Sequence, residues 1–194
     1  MLCDWVSLRS WDGRSKSLVS YYLHTLHGTA PWYTQYIDSL RIIYSEAQQA
    51  IQNGALEIDT VIPLGLLLSK PPQYTYLFQH LQSIIQTASP IPVKVIIETN
   101  LIPTPELKIT ACVLAAEAGA AFVKTCTGFA AGGGATKEDV QLMYMAVKYK
   151  GSVKVKASGG VRTFEACQEM FAAGAERIGT HVSPFFSFPA SYSN

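Results

Sequence analysis

The sequence predicts an α/β protein built on a parallel sheet with helices packed outside it, and three observations carry that prediction. From about Ser45 onward, short β-rich runs alternate with helical patterns, the order that joins parallel strands through crossover helices. The helical patterns carry their own start and stop residues. A Gly-Ala pair also recurs at Gly54, Gly119 and Gly174, each time at a helix end and ahead of a strand.

The clearest strands are VKVIIE (93–98), FVKTCT (122–127) and VKVKAS (153–158). Thr104-Pro105 reads as an N-cap with proline at the first helical position, and Leu107, Ala111, Leu114, Ala115 and Ala118 mark one face before Gly119 ends the helix. Thr136 with Asp139 resembles a capping box ahead of Val140, Met143 and Val147. Thr163 likewise precedes Phe164, Cys167 and Phe171, with Gly174 as the stop.

Five residues beyond Gly54, Gly119 and Gly174 stand Asp59, Lys124 and Gly179, and five beyond Gly151 stands Lys156. If each glycine turns the chain into its strand, these four positions share one level near the carboxyl ends of parallel strands. Catalytic residues collect at that rim in barrels and open α/β sheets.

A lysine inside Phe122-Val123-Lys124 is costly to bury as an ammonium, which predicts either a carboxylate partner or a lowered pKa. The second outcome suits a Schiff-base nucleophile. Lys156 would favour it as a nearby cation, and Asp59 could exchange protons with a substrate through water. An ordinary ion pair between Lys124 and Asp59, with Lys156 turned to solvent, fits the spacing equally well. Lys154 shares a strand face with Lys156, so one of the two is expected to reach solvent.

Glycines cluster where an anion could be held: Gly128, Gly132-Gly133-Gly134 before the helix opened by Thr136, and Gly159-Gly160 before the helix opened by Thr163. Bare backbone lets amides approach a phosphate at helix N-termini.

At 194 residues the chain has room for one domain with a substantial core. Lys and Arg number 15 against 14 Asp and Glu, a balance that gives no reason to expect a nucleic-acid partner. Cys3, Cys112, Cys126 and Cys167 form no CxxC pair, and His24, His27, His80 and His181 have no metal-ligand spacing. Free thiols, no metal and a cytoplasmic location are the expectations. Charges near the start interrupt any apolar run that could act as a leader or a membrane span.

Taken together, EIDTVI (57–62), VKVIIET (93–99), FVKTCTGF (122–129), GGATKEDV (133–140), VKVKASGGVRTFE (153–165) and AERIGT (175–180) resemble the successive strand ends of deoxyribose-phosphate aldolases. The resemblance implies a TIM-type (β/α) barrel, with Lys124 forming an imine, Lys156 as the second active-site lysine and Asp59 in proton transfer. It implies reversible cleavage of 2-deoxyribose 5-phosphate to glyceraldehyde 3-phosphate and acetaldehyde, without metal or organic cofactor. Thr127 would approach the substrate, and Gly128, Gly159, Gly160 and Gly179 would contact its phosphate.

The chain departs from that family at several points. His181 and Val182 stand where small serines are expected, and the loop after Phe129 is one residue longer. The similarity runs from about Ser45 to His181 and corresponds to the last five strands of eight. Residues 1–44 are too few for three more units, since an intact barrel takes roughly 200 to 250 residues. A partial match of His24-Thr25-Leu26 to the family's first strand reads as chance.

The expected organisation is therefore an atypical segment 1–44, a barrel portion 45–183 and a tail 184–194, the barrel being incomplete or atypical at its start. Such a barrel would have unpaired edges and could associate with another copy. The alternative to an active aldolase is a weak or inactive barrel fragment that binds a phosphorylated ligand or a partner chain.

Overall fold

The computed structural model describes residues 43–128 and 133–180, together with two strand segments at 7–8 and 20–23. The elements in chain order are β1 (Ser7–Leu8), β2 (Ser20–Leu23), α1 (43–52), β3 (Glu57–Val61), α2 (Leu64–Leu68) and α3 (Tyr74–Ala88). They continue with β4 (Val93–Ile96), α4 (Pro105–Glu117), β5 (Phe122–Lys124), α5 (Lys137–Val147), β6 (Lys154–Ser158), α6 (Phe164–Ala172) and β7 (Arg177–Gly179).

One sheet has the order β1-β7-β6-β5-β4-β3-β2. Strands β2 to β7 are parallel and β1 joins β7 antiparallel. Each neighbour from β3 to β7 is the next strand in sequence, the order of a (β/α) barrel wall, and among the described residues the wall does not close on itself. Residues 1–44 carry no strand pattern clear enough to predict one, yet β1 and β2 extend the sheet at its two edges. His24-Thr25-Leu26, the loop 129–132, His181, Val182 and the tail lie outside the described residues.

The repeated Gly-Ala pair has a common geometry. Gly119 has φ +99°, its amide donates to Ala116 O, and the Ala120 amide donates to Ala115 O. These are the two bonds of a Schellman corner, which favours glycine because the backbone turns left-handed there. Gly54-Ala55 and Gly174-Ala175 make the same pair of bonds, and Ala55, Ala120 and Ala175 are all buried. In each case the strand starts two residues after the alanine.

Helix starts follow the expected caps. Thr104, Thr136 and Thr163 accept from the amides of Leu107, Asp139 and Ala166, satisfying N–H groups that the first turn leaves without partners. On α5, Val140, Met143 and Val147 are completely buried, each contributing about 1.5–3 kcal/mol by removal from water. Helix α6 differs from expectation: Met170 and the following Ala173 bury, while Phe171 is 47% exposed. The buried face of α6 is centred on Met170, to one side of the line through Phe164, Cys167 and Phe171.

Side chains alternate across each strand, so the parallel registers divide the sheet cleanly. Val95, Val123, Val155, Ala157 and Ile178 face outward into the apolar core shared with α2 to α6. A second cluster seats α1 and α3 against the start of β3 and β4 through Ile43, Ala47, Ile58, Ile84 and Val93. The inner face instead carries Glu57, Asp59, Lys94, Lys124, Lys156 and Arg177, all buried.

Candidate active site

Among the described residues, six charged side chains line the inner face of the wall. Asp59 on β3 uses its two oxygens separately: Oδ1 accepts from Lys94 Nζ at 2.8 Å and Oδ2 from Lys124 Nζ at 2.9 Å. Lys156 Nζ lies 3.9 Å from the same Oδ2. One layer below, Glu57 receives Lys94 at 2.6 Å and Arg177 at 2.7 and 2.8 Å. The Arg177 guanidinium also covers the Phe122 ring, 4.4 Å from its centroid.

Lys94 and Lys124 have no solvent exposure, and Lys156 has 4%. Lys124 thus has the carboxylate partner that was one of the two expected outcomes. Lys156 does not turn to solvent; Lys154 does, its side chain 49% exposed and paired with Glu176 at 3.0 Å. The two candidate lysines are direct neighbours, Lys124 pairing with Lys156 across the β5–β6 ladder.

Asp59, Lys124, Lys156 and Gly179 do not share one level. Asp59 pairs with Lys94, and Lys94 with Phe122, so the ladder places Asp59 two residues below Lys124. Gly179 pairs with Ser158, two residues above Lys156. Parallel strands in a barrel wall are staggered, and the long lysine side chains span the offset that a count from each glycine overlooks.

Four cations face two carboxylates here, an imbalance that favours an uncharged amine. The shift falls on Lys156: burial first, then the charge of Lys124, push its amine down to about 7 against the pull of Asp59. Burial works to raise the Asp59 carboxyl, but Lys124, Lys94 and Lys156 outweigh it and hold it down to about 2. Glu57 is likewise held below its usual range, since bonds from Arg177 and Lys94 overcome its burial.

The strand ends carrying the lysines are locked together. Thr125 Oγ1 donates to Ser158 O at 2.7 Å and accepts from Ser158 N at 2.9 Å, while Ser158 Oγ donates to Cys126 O at 2.6 Å. Thr127 is buried, and its amide donates to Glu98 Oε1 at 2.8 Å.

The glycine turns beyond β5 and β6 meet backbone to backbone. The Ala135 amide donates to Gly159 O at 2.8 Å, and a Cβ on Gly134 would collide with that carbonyl. Gly159 and Gly160 both have positive φ; Gly128 and Gly160 are exposed, whereas Gly159 is buried. Gly179 does something different from lining a loop: an added Cβ would stand 3.2 Å from Lys156 Cε and 3.0 Å from Ser158 Cβ. Its bareness makes room for the second lysine.

Lys94, Glu57, Arg177 and Glu98 were not singled out in the sequence. Glu57 and Arg177 sit three residues after Gly54 and Gly174, so alternation puts them on the same face as the fifth positions. That signal was present. Lys94 has no Gly-Ala corner before it, its strand being entered through Pro90-Ile91-Pro92, but a lysine between Val93 and Val95 in an apolar strand carries the same signal as Lys124.

Fold and site together define a lysine-lined (β/α) barrel wall. The model of the DeoC/LacD family of aldolases matches residues 9–181, and the chain belongs to that family. It is 49% identical over 135 residues to the deoxyribose-phosphate aldolase of Thermotoga petrophila, covering 70% of this chain and 52% of that protein.

Among solved structures, a candidate deoxyribose-phosphate aldolase from Coccidioides immitis superposes with TM-score 0.72 at 39% identity, covering 83% of this chain and 59% of that one. The deoxyribose phosphate aldolase of Aeropyrum pernix, described as tetrameric, gives TM-score 0.65 at 28% identity, with 83% and 62% covered. The chain spans about half the length of the curated relatives it matches.

Proposed function

We propose that this chain carries the catalytic half of a class I aldolase site that cleaves 2-deoxyribose 5-phosphate reversibly to glyceraldehyde 3-phosphate and acetaldehyde. The observation that carries the reading is the pair of adjacent buried amines, Lys124 and Lys156, gathered around Asp59.

In the cleavage direction the Lys124 amine adds to the substrate aldehyde carbon, and loss of water leaves an imine. Its protonated form withdraws electrons from the neighbouring carbon. A base takes the proton of the C3 hydroxyl, the C2–C3 bond breaks, glyceraldehyde 3-phosphate leaves, and the bonding pair becomes the C1–C2 double bond of an enamine held on Lys124 while the imine π pair returns to nitrogen. Protonation at C2 restores the imine, and water releases acetaldehyde and the free amine.

Lys156, with a pKa of about 7, can hold or give a proton near neutral pH, which suits the acid and base steps. Asp59 stays ionised throughout that range; it orients Lys124 and relays protons with Lys156 through water. Thr127 and the turns at Gly128, Gly159 and Gly160 take the phosphate end of the sugar, with Gly179 behind Lys156.

The substrate class is a small phosphorylated sugar, and the working form is a homo-oligomer in the cytoplasm. Residues 45–183 form the barrel portion, with 1–44 an atypical segment and 184–194 a tail. Among the described residues no helix is long and apolar enough to cross a membrane. Incubation with acetaldehyde and borohydride should leave a reduced two-carbon adduct on Lys124, located by peptide mass spectrometry. Folded protein with Lys124 unmodified would overturn the proposal.

A further inference from the structure

The carboxyl end of β4 carries an irregularity that the lysine chemistry does not use. The Ile97 amide donates to Lys124 O at 2.8 Å and the Thr99 amide to Thr125 O at 3.1 Å. In a regular parallel ladder, amides two residues apart reach carbonyls two residues apart; here the carbonyls are adjacent. The β4 side therefore contains one extra residue, Glu98, in the manner of a β-bulge, a device that re-aims side chains and recurs next to active sites.

Glu98 has φ +43° and ψ +60°, and it is the one non-glycine residue with positive φ among the described residues. A glutamate in that region is uncommon and persists where its surroundings over-determine it. The bulge turns the side chain into the protein: Glu98 is 4% exposed, and Oε1 accepts from the Thr127 amide at 2.8 Å. Its other oxygen, Oε2, is buried and accepts no hydrogen bond among the described residues.

Two residues on, Asn100 Nδ2 donates to Gly133 O at 2.7 Å. The β4 turn thus grips both ends of the excursion after β5, at Thr127 and at Gly133. Through Gly134 and Ala135 it reaches Gly159 beyond β6.

We propose that Glu98 is a positioning residue, whose carboxylate at the β4 bulge fixes the Thr127–Gly128 turn in the conformation that receives the phosphate group of the substrate. This rests on the aldolase reading for the substrate, and on the bulge and its hydrogen bonds for the residue. Glu98 acts through the Thr127 amide and makes no contact with the reacting atoms.

Glu98→Gly tests it without adding backbone strain, because glycine accepts positive φ while offering no acceptor. Glu98→Gln keeps an acceptor for the Thr127 amide and removes the charge. The expected result is Thr127 amide hydrogen exchange at least about tenfold faster in Glu98→Gly and inorganic phosphate affinity weakened about tenfold, the order of losing one hydrogen bond to a charged group.

Both should return to within about threefold of wild type in Glu98→Gln. Unchanged Thr127 exchange, unchanged phosphate affinity in Glu98→Gly, or a wild-type protein that takes no inorganic phosphate would each overturn the proposal. The acetaldehyde adduct on Lys124 needs no phosphate, so its absence would count against the aldolase reading separately.

Discussion

Lys156 Nζ stands 3.9 Å from Asp59 Oδ2, too far for a good hydrogen bond and close enough to feel the charge. Lys124 takes the same oxygen at 2.9 Å. One amine is therefore tethered to the carboxylate while its neighbour hovers beside it, and the two are suited to different tasks.

Lys156, its amine pushed down to about 7, should set the pH dependence of the reaction. Activity that needs it neutral should rise with an apparent pKa of about 7, and Lys156→Met should lose that limb along with roughly 10²- to 10⁴-fold in rate. Folding stability should also rise with pH, over a higher window. The folded value lies below the ordinary 10.5, so the cost of burying this lysine is full below pH 7 and fades as pH rises from about 7 to 10.5. Urea unfolding at pH 6 and pH 10 should show Lys156→Met stabilising the protein more at the lower pH.

Asp59 behaves in the reverse manner. Its folded value of about 2 lies below the ordinary 3.8, so its stabilisation is present above about pH 4 and is lost as pH falls through about 2. Asp59→Asn leaves Lys94 and Lys124 buried without their shared carboxylate, and should cost about 3–5 kcal/mol at neutral pH. Acid titration of its circular dichroism should be less steep between pH 4 and 2 than that of the wild type.

Lys94 bridges Glu57 and Asp59 at 2.6 and 2.8 Å. Lys94→Met should destabilise the protein by about 3 kcal/mol, since two buried carboxylates lose a partner. It also removes one of the charges that depress Lys156, so the rising limb of the pH–rate profile should move to higher pH. A limb that stays in place would show that Lys94 does not act on Lys156.

Gly179→Ala is a steric test. The position has no positive φ, so alanine fits the backbone, but its methyl meets Lys156 Cε at 3.2 Å. Stability should fall by about 1 kcal/mol, as for a modest overpacking. Turnover should fall about tenfold through a displaced amine, the order expected from misplacing a catalytic group. Thermal unfolding and steady-state kinetics on the same preparation separate the two effects.

Local signals were the most legible part of the sequence. Thr104, Thr136 and Thr163 cap the helices they were expected to cap, because a cap depends on a few adjacent residues. Asp59 and Lys124 reach one face because the corners at Gly54-Ala55 and Gly119-Ala120 fix which face each strand presents, whereas the strand of Lys156 is entered through Gly151-Ser152 and joins them by its register with β5. Helix α3 was not singled out: Gln73 begins it without a side-chain cap, although Leu77, Leu81, Ile84 and Ala88 carry the helical spacing that marks its buried face. The stagger between Asp59 and Lys124 was also hidden, being a property of the sheet that no single strand encodes. Glu98 lay inside a string read as plain strand, and only the ladder bonds on either side reveal the extra residue.

The Schellman corners make the wall tolerant of one kind of change and unforgiving of another. Substitutions within a strand alter single side chains, but inserting one residue between Gly119 and Phe122 would shift the reading frame of β5 against its pleat. Val123 would then take the inward place and Lys124 would be driven among the helices. Length variation in relatives and in designed variants should therefore collect where strands leave the sheet, and spare the three-residue entries through which they arrive.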